Sequence, residues 1–266
     1  MKRSILVPAL VLLSLLVPQA AWGIVYGEPD NGRHPNVAAV IGEQTDPRTG
    51  KSVFFPLCTG TLIDADVVLS ASHCFTGLPI DVANFYVSFD EVVDGNGNGV
   101  VDRGVELLSG DPVTHPRFGT GGQNNSYDIA VFLLDEAATD ITPAELPEAG
   151  MLRDRSLRGR TFVAVGYGAV RESNRQGPQG IVAGGKRRMA RQHINSVTKA
   201  WVTFSMNRAT GNGGTCYGDS GGPHFLGDVV VAVTVTGDRQ CKATDKSYRL
   251  DTAYARNFLA RFVTLP

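Results

Sequence analysis

After residue 23 the chain never holds an apolar run for long. Short valine-rich runs at 67–70, 129–134 and 229–236 are cut by turn residues, and the chain carries 31 glycines and 14 prolines in 266 residues. Runs of this length, bounded by Gly, Pro, Asn and Asp, suit strands and not helices. An all-β architecture follows. One exception stands at the carboxyl end, where Ala255, Phe258, Leu259 and Phe262 recur at helical spacing. That spacing predicts a terminal helix over about 252–263.

Residues 1–23 have a different composition. Lys2 and Arg3 precede an apolar run from Ile5 to Val17, and Ala21-Trp22-Gly23 places small residues where a signal peptidase reads. This is the pattern of a secretory signal peptide. The apolar run is short of the ~20 residues that span a bilayer. The mature protein is therefore expected to begin at Ile24 and to be secreted, extracellular or periplasmic, with no membrane contact after cleavage. Losing Lys2 and Arg3 takes Lys+Arg from 25 to 23 against 26 acids, a net charge near −3. That balance argues against nucleic acid as a partner.

The chemistry concentrates in Gly213-Gly214-Thr215-Cys216-Tyr217-Gly218-Asp219-Ser220-Gly221-Gly222-Pro223. A serine hydroxyl becomes a nucleophile only beside a base. It also needs donors aimed at the oxyanion that forms, and glycines leave backbone N–H groups unobstructed. Here the N–H groups of Gly218 and Ser220 are the candidates. Asp219 between them needs a cation if it is buried. A base and an acid stand upstream, His73 in Ala71-Ser72-His73-Cys74 and Asp128 in Tyr127-Asp128-Ile129-Ala130. His34, His115, His193 and His224 read as structural, with His224 the one rival base because it follows Ser220 by four residues. Four cysteines in an exported chain suggest two disulfides with three pairings open. A zinc site is the other use of cysteine, but no CxxC pair exists.

These motifs, in the order His73, Asp128, Ser220, resemble those of the trypsin/chymotrypsin family of serine proteases. Gly166-Tyr167-Gly168 is similar to that family's Gly-Trp-Gly, and Ile24-Val25-Tyr26-Gly27 to its Ile-Val-Gly-Gly start. The resemblance implies two six-stranded antiparallel barrels, about 24–139 and 155–251, with the site between them. It implies disulfides Cys58–Cys74 and Cys216–Cys241, and an ion pair between the freed Ile24 amine and Asp219. No Lys or Arg immediately precedes Ile24, so export itself would complete the enzyme. The substrate pocket it implies uses Gly214, Thr215, Val235, Thr236, Gly237 and Lys246. Gly214 holds the floor position where an acid would select Lys or Arg, so a basic preference is not expected. With Lys246 turned inward the pocket would be cationic; with Lys246 in solvent it would be small and neutral.

Asp94-Gly95-Asn96-Gly97-Asn98-Gly99-Val100-Val101-Asp102 alternates oxygen-bearing side chains and has glycine at its sixth position, which suits a hard cation. Asp94, Asn96, Asn98 and Asp102 are candidate ligands for a structural Ca²⁺, and the plain reading is an Asn-Gly turn. The pattern departs from an EF-hand, because its twelfth position is Val105. No cofactor is expected to be required. Lys186, Arg187, Arg188 and Arg191 read as a solvated strand edge, with a docking patch as the alternative. The whole points to a secreted, monomeric serine endopeptidase acting on protein or peptide substrates. A non-catalytic binding protein on the same fold and an esterase-type acyl hydrolase are the alternatives.

Overall fold

The computed structural model describes residues 24–171 and 180–266. The expected signal peptide and residues 172–179, which the sequence reads as a flexible Gly- and Gln-rich stretch, lie outside the described residues. A short strand β1 (Glu28–Pro29) precedes the first barrel. That barrel uses β2 (Val37–Thr45), β3 (Ser52–Asp64), β4 (Val67–Ser70), β5 (Asn84–Ser88), β6 (Leu108–Thr114) and β7 (Ala130–Leu134). It closes in the order β2-β3-β4-β7-β6-β5, antiparallel throughout.

A small hairpin of β9 (Val170–Arg171) and β10 (Ile181–Val182) follows β8 (Phe162–Gly166). The second barrel combines β8 with β11 (Arg188–Val197), β12 (Trp201–Ser205), β13 (Pro223–Leu226), β14 (Val229–Gly237) and β15 (Thr244–Arg249). Its order is β11-β12-β15-β14-β13-β8, closed by β11 on β8, with β1 added at β11. Closure leaves neither barrel with a free edge. The terminal helix α1 spans Ala253–Leu259, and Thr252 caps it through the Ala255 N–H. It is shorter than its periodicity suggests. The chain turns after Leu259, yet Phe262 still packs on the same core as Ala255 and Phe258.

One buried cation ties the barrels together. Arg187 donates to Asp30 Oδ2 (3.1 Å), to the carbonyls of Val37 (3.1 Å) and Phe89 (2.9 Å), and to the Tyr167 hydroxyl (3.0 Å). Arg188 is also buried and donates to the Gly27 carbonyl (2.6 Å). The expected solvated edge is thus wrong at both residues. Apart from Tyr167, their partners lie 98 to 161 residues away in sequence, which local composition does not reveal. Arg191 alone of the three arginines is exposed, beside Glu28.

Candidate active site

The histidine and the aspartate are delivered by neighbouring strands of the first barrel. β4 pairs with β7 so that Ser70 faces Ala130. The chain leaves β4 into a 3₁₀ turn at Ser72–Cys74, and Asp128 lies just ahead of β7. His73 Nδ1 lies 2.8 Å from Asp128 Oδ2, and the His73 backbone N–H donates to Asp128 Oδ1 (3.0 Å). One carboxylate therefore fixes both the ring and the backbone of His73. Nδ1–H donates to it, which leaves Nε2 as the basic nitrogen. The Ser72 hydroxyl donates to the Ile129 carbonyl (2.6 Å) and locks the turn. Tyr127 sits at φ 52° immediately before Asp128, a strained setting for an aromatic residue. Its ring is held by His115, stacked at 4.9 Å, and by Arg117, 4.3 Å above it.

The Cys58–Cys74 disulfide braces this turn, and the Cys216–Cys241 disulfide joins the two walls of the adjoining cleft. Cys58, His73 and Cys74 are the one metal-ligand-like cluster among the described residues. Both sulfurs are consumed in the disulfide, so the zinc reading fails.

Ser220 stands in a cleft of about 300 Å³. The Ser220 carbonyl accepts from Thr59 N–H (2.8 Å) and lies 3.7 Å from Cys74 Sγ, so the serine loop is sewn to the elements that carry His73. Gly218 adopts φ 93°, which favours glycine. Among the described residues, neither the Gly218 nor the Ser220 N–H donates to another backbone carbonyl outside the strands. Two donors flanking one residue are left for a ligand.

Asp219 is fully buried, and its carboxylate accepts from Gly168 N–H (2.7 Å) and Cys216 N–H (2.8 Å). Burial pushes its pKa up to about 7 against the pull of these two bonds. A Cβ on Gly166 or Gly168 would run into this carboxylate, which explains the glycines on either side of Tyr167. Ile24 is also fully buried and packs on Ala164, two residues before Gly166.

The cleft differs from expectation in two places. Thr215, Val235, Thr236 and Gly237 line it, with Thr234, Asp238 and Arg239. Gly214 does not. It exchanges two hydrogen bonds with Val25 (2.8 and 2.9 Å) and sits against Gln192 and Met206, beneath the amino-terminal segment. Lys246 does not line it either. Its ammonium lies 4.2 Å from the centre of the Trp201 ring on the outer face of the sheet. Its neighbours Asp245 and Ser247 are the ones that point inward, both fully buried. His224 is enclosed completely and stacks on Phe204 at 4.3 Å, out of reach of any substrate.

Sequence reading missed Tyr217 and Asp245. Tyr217 is 59% exposed at the cleft mouth, and its hydroxyl donates across it to the Arg239 carbonyl (3.1 Å). Its place beside the serine motif is the signal that could have found it. Asp245 carries no local motif.

The proposed cation loop is compact. Asp94 Oδ1 accepts from the N–H groups of Gly97 (2.8 Å) and Asn98 (3.2 Å), and Oδ2 from Gly99 (2.8 Å). Asp102 accepts from Gly95 N–H (2.6 Å) and from the Asn96 amide (3.2 Å), while Asn98 Oδ1 accepts from Val100 N–H (2.8 Å). The four side chains lie within nine residues, and each carries an oxygen with a spare lone pair, although Asn96 turns its amide nitrogen to Asp102. The loop docks on the second barrel through Val93 and Asp94, whose N–H groups both donate to the Gly185 carbonyl (2.8 and 3.1 Å).

Comparison with known proteins agrees with this geometry. The family model described as Trypsin matches residues 24–258. Kallikrein 1-related peptidase b27 of Mus musculus is 26% identical over 200 residues, 70% of this chain and 72% of that protein. Serine protease SP24D of Anopheles gambiae is 28% identical over 189 residues, 66% of this chain and 60% of that protein. A solved HL collagenase structure superposes with a TM-score of 0.63, covering 90% of this chain and 98% of the other at 17% identity, and so shares the fold. No helix of the described residues is long and apolar enough to cross a membrane.

Proposed function

Because the chain belongs to the trypsin family of serine-type peptidases, we propose that it is an exported endopeptidase that cleaves peptide bonds through an acyl-enzyme on Ser220. The observation that carries this reading is the double hold of Asp128 on His73 (2.8 and 3.0 Å), with the Ser220 carbonyl bonded to Thr59, next to the Cys58–Cys74 bridge. In the first step His73 Nε2 takes the Ser220 proton as Oγ attacks the scissile carbonyl. The carbonyl oxygen becomes an oxyanion held by the Gly218 and Ser220 N–H groups; losing one such donor costs ~10²–10³ in rate. The imidazolium then protonates the leaving amine, and the C–N bond breaks. Water repeats the sequence in reverse and frees the acid. Asp128 orients the ring and stabilises its cation without taking the proton.

Signal-peptide removal would release the Ile24 amine. That cation is the partner Asp219 requires, and the buried position of Ile24 near Gly166 supports the pairing. Asp94, Asn96, Asn98 and Asp102 would hold a structural Ca²⁺, which joins the loop to Gly185 and supplies no step of the chemistry. A fluorophosphonate that labels Ser220 in the wild type and fails to label Ser220→Ala tests the nucleophile. An unlabelled folded protein would mean a binding protein on this fold. Labelling with ester but no peptide turnover would mean an acyl hydrolase.

A further inference from the structure

We propose that Thr59 is a positioning residue for the reaction. Its hydroxyl, delivered from the first barrel, holds the peptide plane that joins the two oxyanion donors and keeps the Gly218 and Ser220 N–H groups aimed together. This rests on the peptidase reading above and deepens it.

In a planar trans peptide the C=O and the N–H point in opposite directions, so a partner on the carbonyl also aims the N–H. The Gly218 N–H shares its plane with the Tyr217 carbonyl, which accepts from Ala169 N–H (2.6 Å). The Ser220 N–H shares its plane with the Asp219 carbonyl, which accepts from Gly222 N–H (2.9 Å). The plane between these two carries the Gly218 carbonyl and the Asp219 N–H. The Asp219 N–H donates to the Cys216 carbonyl (3.1 Å), and the Gly218 carbonyl accepts from Thr59 Oγ1 (3.0 Å). The Ser220 carbonyl, one plane further on, accepts from the Thr59 N–H (2.8 Å). Among the carbonyls of residues 216–220, backbone N–H groups thus hold all but that of Gly218, which a side chain holds. That hold falls where the chain is least stiff. Gly218 stands at φ 93° and has no Cβ to resist rotation of the planes on either side.

The Thr59 hydroxyl is committed to this bond. Its oxygen accepts from Tyr167 N–H (3.2 Å), and its single proton goes to the Gly218 carbonyl. The residue is fully buried, so water does not compete. A Cβ on Gly222 would come within 3.0 Å of Thr59 Cγ2, and a Cβ on Gly166 within 3.2 Å of Oγ1. The methyl therefore lies over Gly222 and the hydroxyl over Gly166, and branching at Cβ keeps the side chain in that rotamer. From behind, the Thr59 carbonyl accepts from the Ser70 hydroxyl (2.9 Å), and the preceding residue, Cys58, is bridged to Cys74 beside His73. One residue of β3 thus registers the serine loop against the histidine turn.

The hydroxyl bonds to Gly218 and Tyr167 and not to Ser220 Oγ. It acts through the direction of the two donors, which counts most when charge gathers on the carbonyl oxygen. Its loss should slow acylation and leave ground-state binding as it was.

The test is the burst of p-nitrophenol from p-nitrophenyl acetate. Its amplitude counts working sites, and its rate at rising ester concentration separates the acylation constant from the dissociation constant of the ester. Thr59→Ser and Thr59→Ala both lack the methyl and differ only in the hydroxyl. We expect acylation per working site to be at least about tenfold slower in Thr59→Ala than in Thr59→Ser, approaching the ~10²–10³ of a lost oxyanion donor. The ester dissociation constants of the two should agree within about twofold, and Thr59→Ser should stay within about threefold of the wild type. If Thr59→Ala does not fold, Thr59→Val, which fills the same space and cannot donate, is compared with the wild type and should show the same loss. A purely structural role would lower Tm and leave acylation per working site unchanged. Equal acylation in the Ser and Ala variants, or a loss confined to the dissociation constant, overturns this inference and leaves the peptidase reading standing. A folded wild type that gives no burst and takes no fluorophosphonate overturns both.

Discussion

The first barrel encloses Val40, Leu62, Val68, Val87 and Phe132, and the polar side chains buried on its strands, Thr59, Thr61, Ser70 and Ser88, are uncharged hydroxyls. The second barrel encloses Phe162, Val202, Phe204 and Val231, but beside them it buries Gln192, His224, Thr234, Asp245 and Ser247. The two are closed by the same number of strands, so closure does not decide what fills them. The difference follows from what each barrel brings to the cleft. The first supplies His73 and Asp128 from its rim, and a rigid apolar interior is enough to hold them. The second supplies the cleft wall, and the polar cluster behind it holds Thr215, a residue of that wall, through Asp245.

The sharpest break falls at the rim contributions. Ser220→Ala and His73→Ala should each lower peptide kcat by roughly 10⁴-fold or more, with both barrels still folded by circular dichroism. His224→Phe should keep turnover within about tenfold, because a buried ring on the barrel interior transfers no proton in this mechanism. If His224→Phe inactivates a folded protein while His73→Ala does not, the base belongs to the second barrel and the comparison collapses.

Asp219 separates the amino-terminal states of the second barrel. Its pKa stands at about 7 in the folded chain against a reference of 3.8. The folded state binds this proton more tightly than the unfolded state, so burial is harmless below about pH 4 and its cost grows as pH rises through 7. With Ile24 acetylated, unfolding free energy should fall by on the order of 4 kcal/mol between about pH 4 and 8 relative to the free-amine form. Asp219→Asn in the acetylated protein should abolish that slope. Parallel pH profiles for the free and acetylated forms would remove the Ile24–Asp219 pair.

The apolar filling of the first barrel has its own test. Phe132→Ala should cost about 3–5 kcal/mol in urea unfolding, while the folded fraction keeps peptide kcat within a few fold.

The strand alternation of the first barrel was readable because turn residues such as Asp64-Ala65-Asp66 fall between apolar runs. The His73, Asp128 and Ser220 motifs were readable because each is local. β15 was not. The family resemblance places Lys246 in the pocket, but Lys246 and Tyr248 share the side of the strand turned away from it. Tyr248 is buried, but on the outer face, edge-on to Trp201 at 5.7 Å and bonded to Asn125 (2.9 Å). A strand buried on both faces has no alternation to read. Arg187 and Gly214 failed for a related reason. Their partners Asp30 and Val25 are distant in sequence, and only the closed fold brings them together.

Calcium would act where the barrels meet. A cation bound only by the folded loop at 100 times its Kd adds about 2.7 kcal/mol. We expect chelator-treated protein to gain Tm on adding millimolar Ca²⁺, and the gain to vanish in Asp94→Asn/Asp102→Asn. Each substitution removes the charge and one of the two acceptor oxygens that hold the loop, so the gain is read against the same variant without Ca²⁺. An unshifted melt in the wild type leaves an ordinary turn.

The smallest effect belongs to the rim of the cleft. The two walls, 215–217 and 235–239, are tied at the base by the Cys216–Cys241 disulfide and at the mouth by the Tyr217 hydroxyl on the Arg239 carbonyl. The mouth bond is exposed to water, so its net worth is about 0.5–1 kcal/mol at most. Tyr217→Phe removes the bond and keeps the ring. It should leave Tm nearly unchanged and change kcat/KM for a peptide substrate by no more than about fivefold. The change should appear in KM, because the hydroxyl touches no reacting atom. The comparison sharpens when Tyr217→Phe is combined with Thr215→Val. The rim bond and the buried Thr215–Asp245 bond hold separate parts of the wall, so their effects on kcat/KM for one peptide should add within about 0.5 kcal/mol. Strong coupling between the two would mean that the rim bond positions the wall on which Thr215 sits, and that the mouth and the polar core form one unit.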